Sequence, residues 1–437
     1  MKFRISIILF SFLIFWSKMQ AQTSDTATLQ QLVSVALEKN YGILIANNNS
    51  EISKINNSLG NAGFLPKIDV GISNLYSQSD NRTDYFDGTT TQSNVNNSLL
   101  DALVQLNWTV FDGTAMFIRK NRLSEFENQN AVRLEAEIEN VYFDLAIQYF
   151  ELVQQQKLMQ VLEYTMNISR FRLNLAELKF RLGAASEIDK IQASLDLNND
   201  SSLLLKQDIL IKNLKADINN TLGRVPEFQF SAEKEITMSE ELNFEQIQQS
   251  FSQQNKDILL SESNLKLKEL IYRETKTVFL PELSLYADYE YYNSHNSAGS
   301  MKLNTVAGPS VGVKLSYTVF DGFNSNRKRQ IAKVDLSTAQ IETDENLNTV
   351  RTILYQTYNN YKGALTLADL ETGNLSDARK NLQLAVEMYK RGTIGEIEFR
   401  EIQRKEFESE SRFLSAQFAA KSAELQLLKL IGQLNLK

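Results

Sequence analysis

Apolar side chains recur along this chain in two registers. Between 114 and about 181 they fall at Leu134, Ile138, Val141, Leu145, Tyr149 and Leu152, and in a later stretch at Leu347, Val350, Leu354, Tyr358, Tyr361 and Leu365. Steps of three and four mark seams of coiled-coil type. With no proline between 114 and 181, the first stretch predicts a helix of about 68 residues, roughly 100 Å long. Gly183 and Gly392 break the two patterns, and a second helix is expected to run back over about 187–221 and about 396–431. Residues 28–62 and 244–277 also read as helical and stop just before a Phe-Leu-Pro triplet. An opening helix and a returning helix, stacked end to end, match the length of one long helix and can pair along it. The seams require burial, which predicts a tall closed bundle or cylinder.

Four segments alternate with period two. Ile68, Val70, Ile72 and Tyr76 share one face of 67–77, and Ala102, Val104, Leu106, Trp108 and Val110 one face of 101–111. Leu283, Leu285, Ala287, Tyr289 and Tyr291 do so in 282–292, and Val311, Val313, Leu315, Tyr317 and Val319 in 311–319. Each spans about ten residues, the length a tilted strand needs to cross a bilayer. Phe64, Phe111, Phe279 and Phe320 mark one end, and Tyr76, Tyr291 and Tyr292 the other, like interfacial girdles. An ordinary half-buried sheet alternates in the same way. The polar segments 78–99 and 293–308 are expected as loops.

The chain repeats itself. Phe64-Leu65-Pro66 returns as Phe279-Leu280-Pro281, and Asn40, Ile43 and Leu44 return at the same offset as Asn255, Ile258 and Leu259. Thr109-Val110-Phe111-Asp112-Gly113 returns as Thr318-Val319-Phe320-Asp321-Gly322, and that second offset holds through Gly183/Gly392 to Gly223/Gly432. Duplication of a helix, strand, strand, helix, helix unit is the reading. The first repeat covers 22–223, with a β-hairpin over 64–111 and a long helical hairpin over 114–221. A linker at 224–243 holds Pro226. The second repeat covers 244–437, with a β-hairpin over 279–320 and a helical hairpin over 323–431.

Composition narrows the function. Lys2 and Arg4 precede an apolar run from Ile5 to Trp16, too short to span a bilayer, and small Ala21 follows. That layout predicts a cleaved signal peptide over 1–21 and an exported product. Its removal takes the formal charge from −7 to −10, which argues against nucleic acid as a partner. The chain has no cysteine and a single histidine, His295, excluding disulfides, thiol catalysis and histidine-rich metal sites. His295 reads as a solvated loop residue. Asp112 and Asp321 read as caps of the following helices, and Arg327-Lys328-Arg329 as a solvated face. No phosphate loop or nucleophile motif is present, so a secreted hydrolase has no residues to name, and neither enzyme chemistry nor a cofactor or metal is expected.

Four strands cannot close a barrel, and open edges are not tolerated in lipid. Several chains must each contribute two hairpins. An eight-strand barrel is filled by its side chains and a twelve-strand one is wider, which favours three chains. An exported helical stalk or adhesin explains the helices equally well but leaves the strands without a role.

The two-copy pattern, the proline-started strands, the Val-Phe-Asp-Gly junctions and the glycine at each long hairpin tip resemble the TolC-like outer-membrane efflux proteins, over about 28–432. The resemblance implies an α+β membrane protein: a homotrimer whose single twelve-strand β-barrel continues into a long helical periplasmic tunnel. It implies an exit duct of tripartite efflux or type I secretion systems, set in outer-membrane lipid and docked on a periplasmic adaptor and an inner-membrane pump. The absence of cysteine marks the unlipidated kind. Leu182, Gly183, Ala184 and Ala185, with Arg391, Gly392 and Thr393, align with the tips that the family presents to its adaptor. Glu398 and Glu401 stand where the family lines its tunnel entrance with carboxylates, glutamates here instead of the usual aspartates. Asp189 stands at a gating carboxylate position, with Tyr389 as its expected hydrogen-bond partner.

Overall fold

The computed structural model describes residues 26–233, 235–238, 242–298 and 301–434. The expected signal peptide and its cut near Ala21 lie outside the described residues. Two compact units each draw on both halves of the chain: one takes residues up to Asn47, 133–258 and those from 347 onward, and the other takes 48–132 and 259–346.

The first unit is helical. It holds α1 (Leu29–Lys39), the start of α2 (Tyr41–Asn56), most of α4 (Ala115–Arg181), α5 (Glu187–Thr221), α6 (Phe244–Gln254), the start of α7 (Lys256–Thr277), most of α8 (Asn324–Lys390) and α9 (Glu396–Leu430). A four-residue α3 (Leu59–Ala62) belongs to the other unit. Both long helices have 67 residues and both returning helices 35. The expected seam residues Val141, Leu145, Tyr149 and Leu152 are buried in one core with Leu32, Ile218 and Leu222. Val350, Leu354 and Tyr361 are buried in a second core with Ile247, Phe251 and Leu427. Strands β1 (Thr26–Ala27) and β4 (Ser231–Ala232) form a short parallel pair.

The opening helix of each repeat is broken where the periodicity predicts continuity. Asn40 and Asn255 take extended backbone, and each side chain serves two helices. Asn40 Oδ1 accepts from Ile43 N at 3.0 Å and its amide donates to Thr221 O at 2.8 Å. Asn255 Oδ1 accepts from Ile258 N at 3.1 Å and its amide donates to Leu430 O at 3.0 Å. One amide thus caps the start of the following helix and takes up an orphan carbonyl at the end of the returning one. Behind it, Gly223 and Gly432 hold left-handed backbone, and a Cβ there would sit 2.5 Å from Lys39 O or 2.8 Å from Gln254 O.

The second unit carries an antiparallel sheet of order β2-β3-β5-β6, from β2 (Lys67–Asp84), β3 (Thr90–Asp112), β5 (Glu282–Asn296) and β6 (Leu303–Ser316). β2 and β3 pair without interruption from Lys67↔Asn107 to Asp84↔Thr90. β3 joins the second hairpin through β5, with a register shift between Thr109 and Phe111. The loops expected at 78–99 and 293–308 are therefore largely strand. The ladder uses backbone groups alone, so polar residues such as Ser79, Asn81 and Asn94 continue it beyond the apolar band. His295 likewise sits in β5, opposite Leu303, not in a loop. The last strand stops at Ser316, short of the expected 319. Ile68, Val70, Ile72, Val311, Val313 and Leu315, all on the outermost strands, are 63–81% exposed. The outer edges of β2 and β6 have no strand partner among the described residues. No described helix is long and apolar enough to cross a membrane.

The strand-to-helix junctions work as expected. Asp112 Oδ1 accepts from Met116 N at 3.0 Å, and Asp321 Oδ2 from Ser325 N at 2.7 Å. Gly113 and Gly322 turn the chain with φ of 69° and 67°.

Candidate functional site at the helical tips

Both long helices end in the same Schellman turn. Ala184 N donates to Lys179 O at 2.8 Å and Gly183 N to Phe180 O at 3.0 Å; Thr393 N donates to Met388 O at 3.0 Å and Gly392 N to Tyr389 O at 3.1 Å. The motif requires left-handed backbone at the residue after the cap, and Gly183 and Gly392 supply it at φ 71° and 75°. A Cβ at either would meet nothing within 4 Å, so conformation, not crowding, demands glycine. Leu182, Gly183, Ala184, Arg391, Gly392 and Thr393 are exposed and Ala185 is half-buried. The returning helices start differently: Ser186 and Asp189 form a capping box, whereas Gly395 caps α9 with no side chain.

Behind the tips lies a charged network. Arg172, fully buried on α4, donates to Asp196 Oδ2 of α5 at 3.1 Å and to Gln403 Oε1 of α9 at 3.3 Å. It also pairs with Glu396 at the start of α9. Arg400 grips Asp200 through two bonds, at 2.8 and 2.9 Å, and those strong contacts hold its guanidinium protonated against the cost of burial. Ser169 Oγ donates to Asp200 at 2.5 Å, and Gln403 donates to Thr165 O at 3.1 Å. Two cations and three carboxylates thus tie the first helical hairpin to the second. A buried array of this kind contributes little net stability while intact, but removing one member leaves a charge unpaired.

Tyr389 is buried, stacks on Phe399 at 4.7 Å and lies under Lys179 Nζ. Its hydroxyl donates to Glu396, not to Asp189 as the sequence suggests. Asp189 is taken up by its own cap, accepting from Ser186 N at 3.0 Å and Oγ at 2.8 Å. Burial, then the hydrogen bond to Glu396, push the Tyr389 phenol well above its usual range. It therefore stays a neutral donor at any ordinary pH. Asp189 and Glu401 do meet, as walls of a 260 Å³ cavity shared with Arg172, Asp196, Glu396 and Arg400. Glu401 accepts from Arg404 at 2.8 and 2.9 Å and lies 3.6 Å from Lys405, which holds its carboxyl below the usual range. Glu398 is exposed, outside that cavity, and has no ion pair among the described residues.

Sequence reasoning missed Arg172, Asp196, Asp200, Glu396, Arg400 and Gln403. The signal was available, because Arg172 replaces an apolar residue in the seam that runs through Ile168 and Leu175. It also missed the exposed tip residues Ile188 and Ile397, 77% and 83% exposed.

The fold defines the class first. The chain has the architecture of solved outer-membrane channels: CmeC of Campylobacter jejuni (TM-score 0.78, 15% identity, 93% of this chain and 87% of that one) and VceC of Vibrio cholerae (0.73, 14%, 92% and 96%). MtrE of Neisseria gonorrhoeae is similar at 0.69 and 14%, over 92% of this chain and 88% of its own. No curated protein sequence matches the chain. Residues 247–433 match the family described as outer membrane efflux protein. On that match and that fold, the resemblance to the TolC-like outer-membrane efflux proteins stands.

Proposed function

We propose that the chain is the passive exit duct of a tripartite efflux or type I secretion system. The sheet carries this reading: four strands, two unpaired edges and exposed apolar rows on the outermost strands. Lipid offers no partner for an unpaired edge. Three copies placed edge to edge close twelve strands, wide enough for a lumen. The duplicated unit, 22–223 and 244–437, then supplies one hairpin pair and one set of tunnel helices per copy. Energy comes from the inner-membrane pump. Asp189, Tyr389, Glu398 and Glu401 are proposed to form the periplasmic gate, together with the Arg172 network behind them.

Purified protein in planar bilayers should form cation-selective channels. Glu398→Ala should lower the cation-to-anion permeability ratio several-fold, because three unpaired carboxylates around one axis set the local field. Glu401→Ala should change it much less, since Arg404 and Lys405 already offset that charge. Absence of conductance would overturn the duct; equal effects of the two substitutions would overturn the assignment of the field to Glu398.

Leu182, Gly183, Ala184 and Ala185, with Arg391, Gly392 and Thr393, are proposed to receive the adaptor. The exposed small side chains permit close approach of a helix tip, and the exposed Leu182 supplies an apolar anchor. A photo-crosslinker at Ala184 or Thr393 should capture a periplasmic adaptor in cells. Capture of nothing by correctly inserted protein would remove these residues from the docking surface.

A further inference from the structure

Away from the tips, a cavity of 660 Å³ opens between the middle of α4 and the facing parts of α8 and α9. That volume falls within the range of small-molecule pockets. Its walls mix apolar and polar side chains: Val161 and Tyr164 from α4, Leu382 from α8, and Phe413 and Leu414 from α9 make an apolar cluster, with Gln160 and Gln383 beside it. Two carboxylates face it from α9, one turn apart. Glu410 is accounted for, because Arg379 of α8 donates to both its oxygens at 2.8 and 2.9 Å. Glu406 is not. It is 5% exposed, its Oε2 has no hydrogen-bond partner, and no cation pairs with it among the described residues. A buried carboxylate oxygen without a partner carries the full cost of its lost hydration.

We propose that this cavity binds a monovalent organic cation, with an ammonium group on Glu406 and an apolar body against Val161, Tyr164, Leu382 and Phe413. One uncommitted carboxylate beside an apolar cluster suits an amine better than a metal ion, which needs several oxygen or nitrogen ligands, and no group of three such side chains placed to hold a metal occurs among the described residues. An anion would face Glu406 directly. Lys157 of α4 also lines the cavity and forms no ion pair with Glu406; it is the internal competitor. The inference goes beyond the duct reading and does not depend on it, because every wall belongs to a single chain.

Burial, then the neighbouring Glu410, raise the Glu406 carboxyl, against the lowering effect of Arg379. Glu410, Arg379 and Lys157 are the charged groups that face it from the three helices. An ammonium binds the ionised form, so affinity should fall as pH drops through that raised value.

The experiment is a calorimetric titration of the full chain in detergent with 2-phenylethylamine, using the neutral 2-phenylethanol as control. The amine should saturate at one per chain. The alcohol, and the amine on Glu406→Gln, should bind at least about tenfold more weakly, as expected for a lost charge-assisted bond. Glu398→Ala should leave the titration unchanged, and Lys157→Met should not weaken it. No saturable binding to the natural chain would overturn the proposal. Equal binding of the alcohol, an unchanged affinity in Glu406→Gln, or loss in Glu398→Ala would also overturn it.

Discussion

Replacing Arg172 with methionine should loosen the helical tips by about 3–5 kcal/mol, the cost of leaving a buried charge partner uncompensated. Asp196 and Glu396 would then keep weaker partners, Arg400 at 3.7 Å from Asp196 and the Tyr389 hydroxyl on Glu396. Methionine fills most of the space, so the loss is of charge and not of volume. Hydrogen exchange at the amides of 165–175 and 396–406 should accelerate, while the cores around Leu145 and Val350 stay protected. Combining it with Glu396→Gln should recover part of the loss, since the pair shares one contact. In bilayers the same variant should raise the conducting fraction. An unchanged exchange pattern would mean that the network does not hold the tips.

The second large effect is expected at the joint between α9 and α6. Gly432→Val places a β-branched residue in left-handed backbone, about 1–2 kcal/mol, and drives its Cβ to 2.8 Å from Gln254 O, an overpacking cost of about 1–3 kcal/mol. A loss of about 3 kcal/mol should appear as a clear drop in melting temperature. Gly223→Val should behave alike, because Lys39 O stands in the same place. Gly392→Ala is the control: its φ is similar, yet nothing lies within 4 Å. It should cost only the conformational share, about 1 kcal/mol. Equal effects at 432 and 392 would show that the close approach to Gln254 does not matter.

The helices were legible because their signal is local and repeated. Leu145 and Leu354 mark seams that any helix of this length must bury, and the glycines at 183 and 392 announce turns whose backbone only they adopt easily. The strands were legible over their apolar band but not beyond it. Asn94 or Ser79 looks like loop in a sequence, and pairs only because its neighbour across the ladder is already fixed. Asn40 and Asn255 were visible as a repeated pair, but what they do depends on helices about 180 residues further on. At the site, sequence placed Asp189 and Tyr389 near one another but missed their partners. Asp189 closes on Ser186, three residues away, as capping chemistry favours, and that leaves Tyr389 to Glu396. A charge inside an apolar stripe, as at Arg172, is the one pattern that points to such a network before the fold is known.

The two bare edges of the sheet bear on inheritance. In the proposed ring of three copies, each chain would complete its ladder only against its neighbours and could not fold its sheet in isolation. A copy with intact edges and a broken tip would still be accepted into that proposed ring, since the pairing edges of β2 and β6 are unchanged in it. Co-expressed with normal copies, it should spoil most of the rings it enters. A copy damaged at the edges is excluded and does no harm. Lesions in this gene should therefore divide by location: dominant when they fall in the helical hairpins, recessive when they fall along β2 and β6.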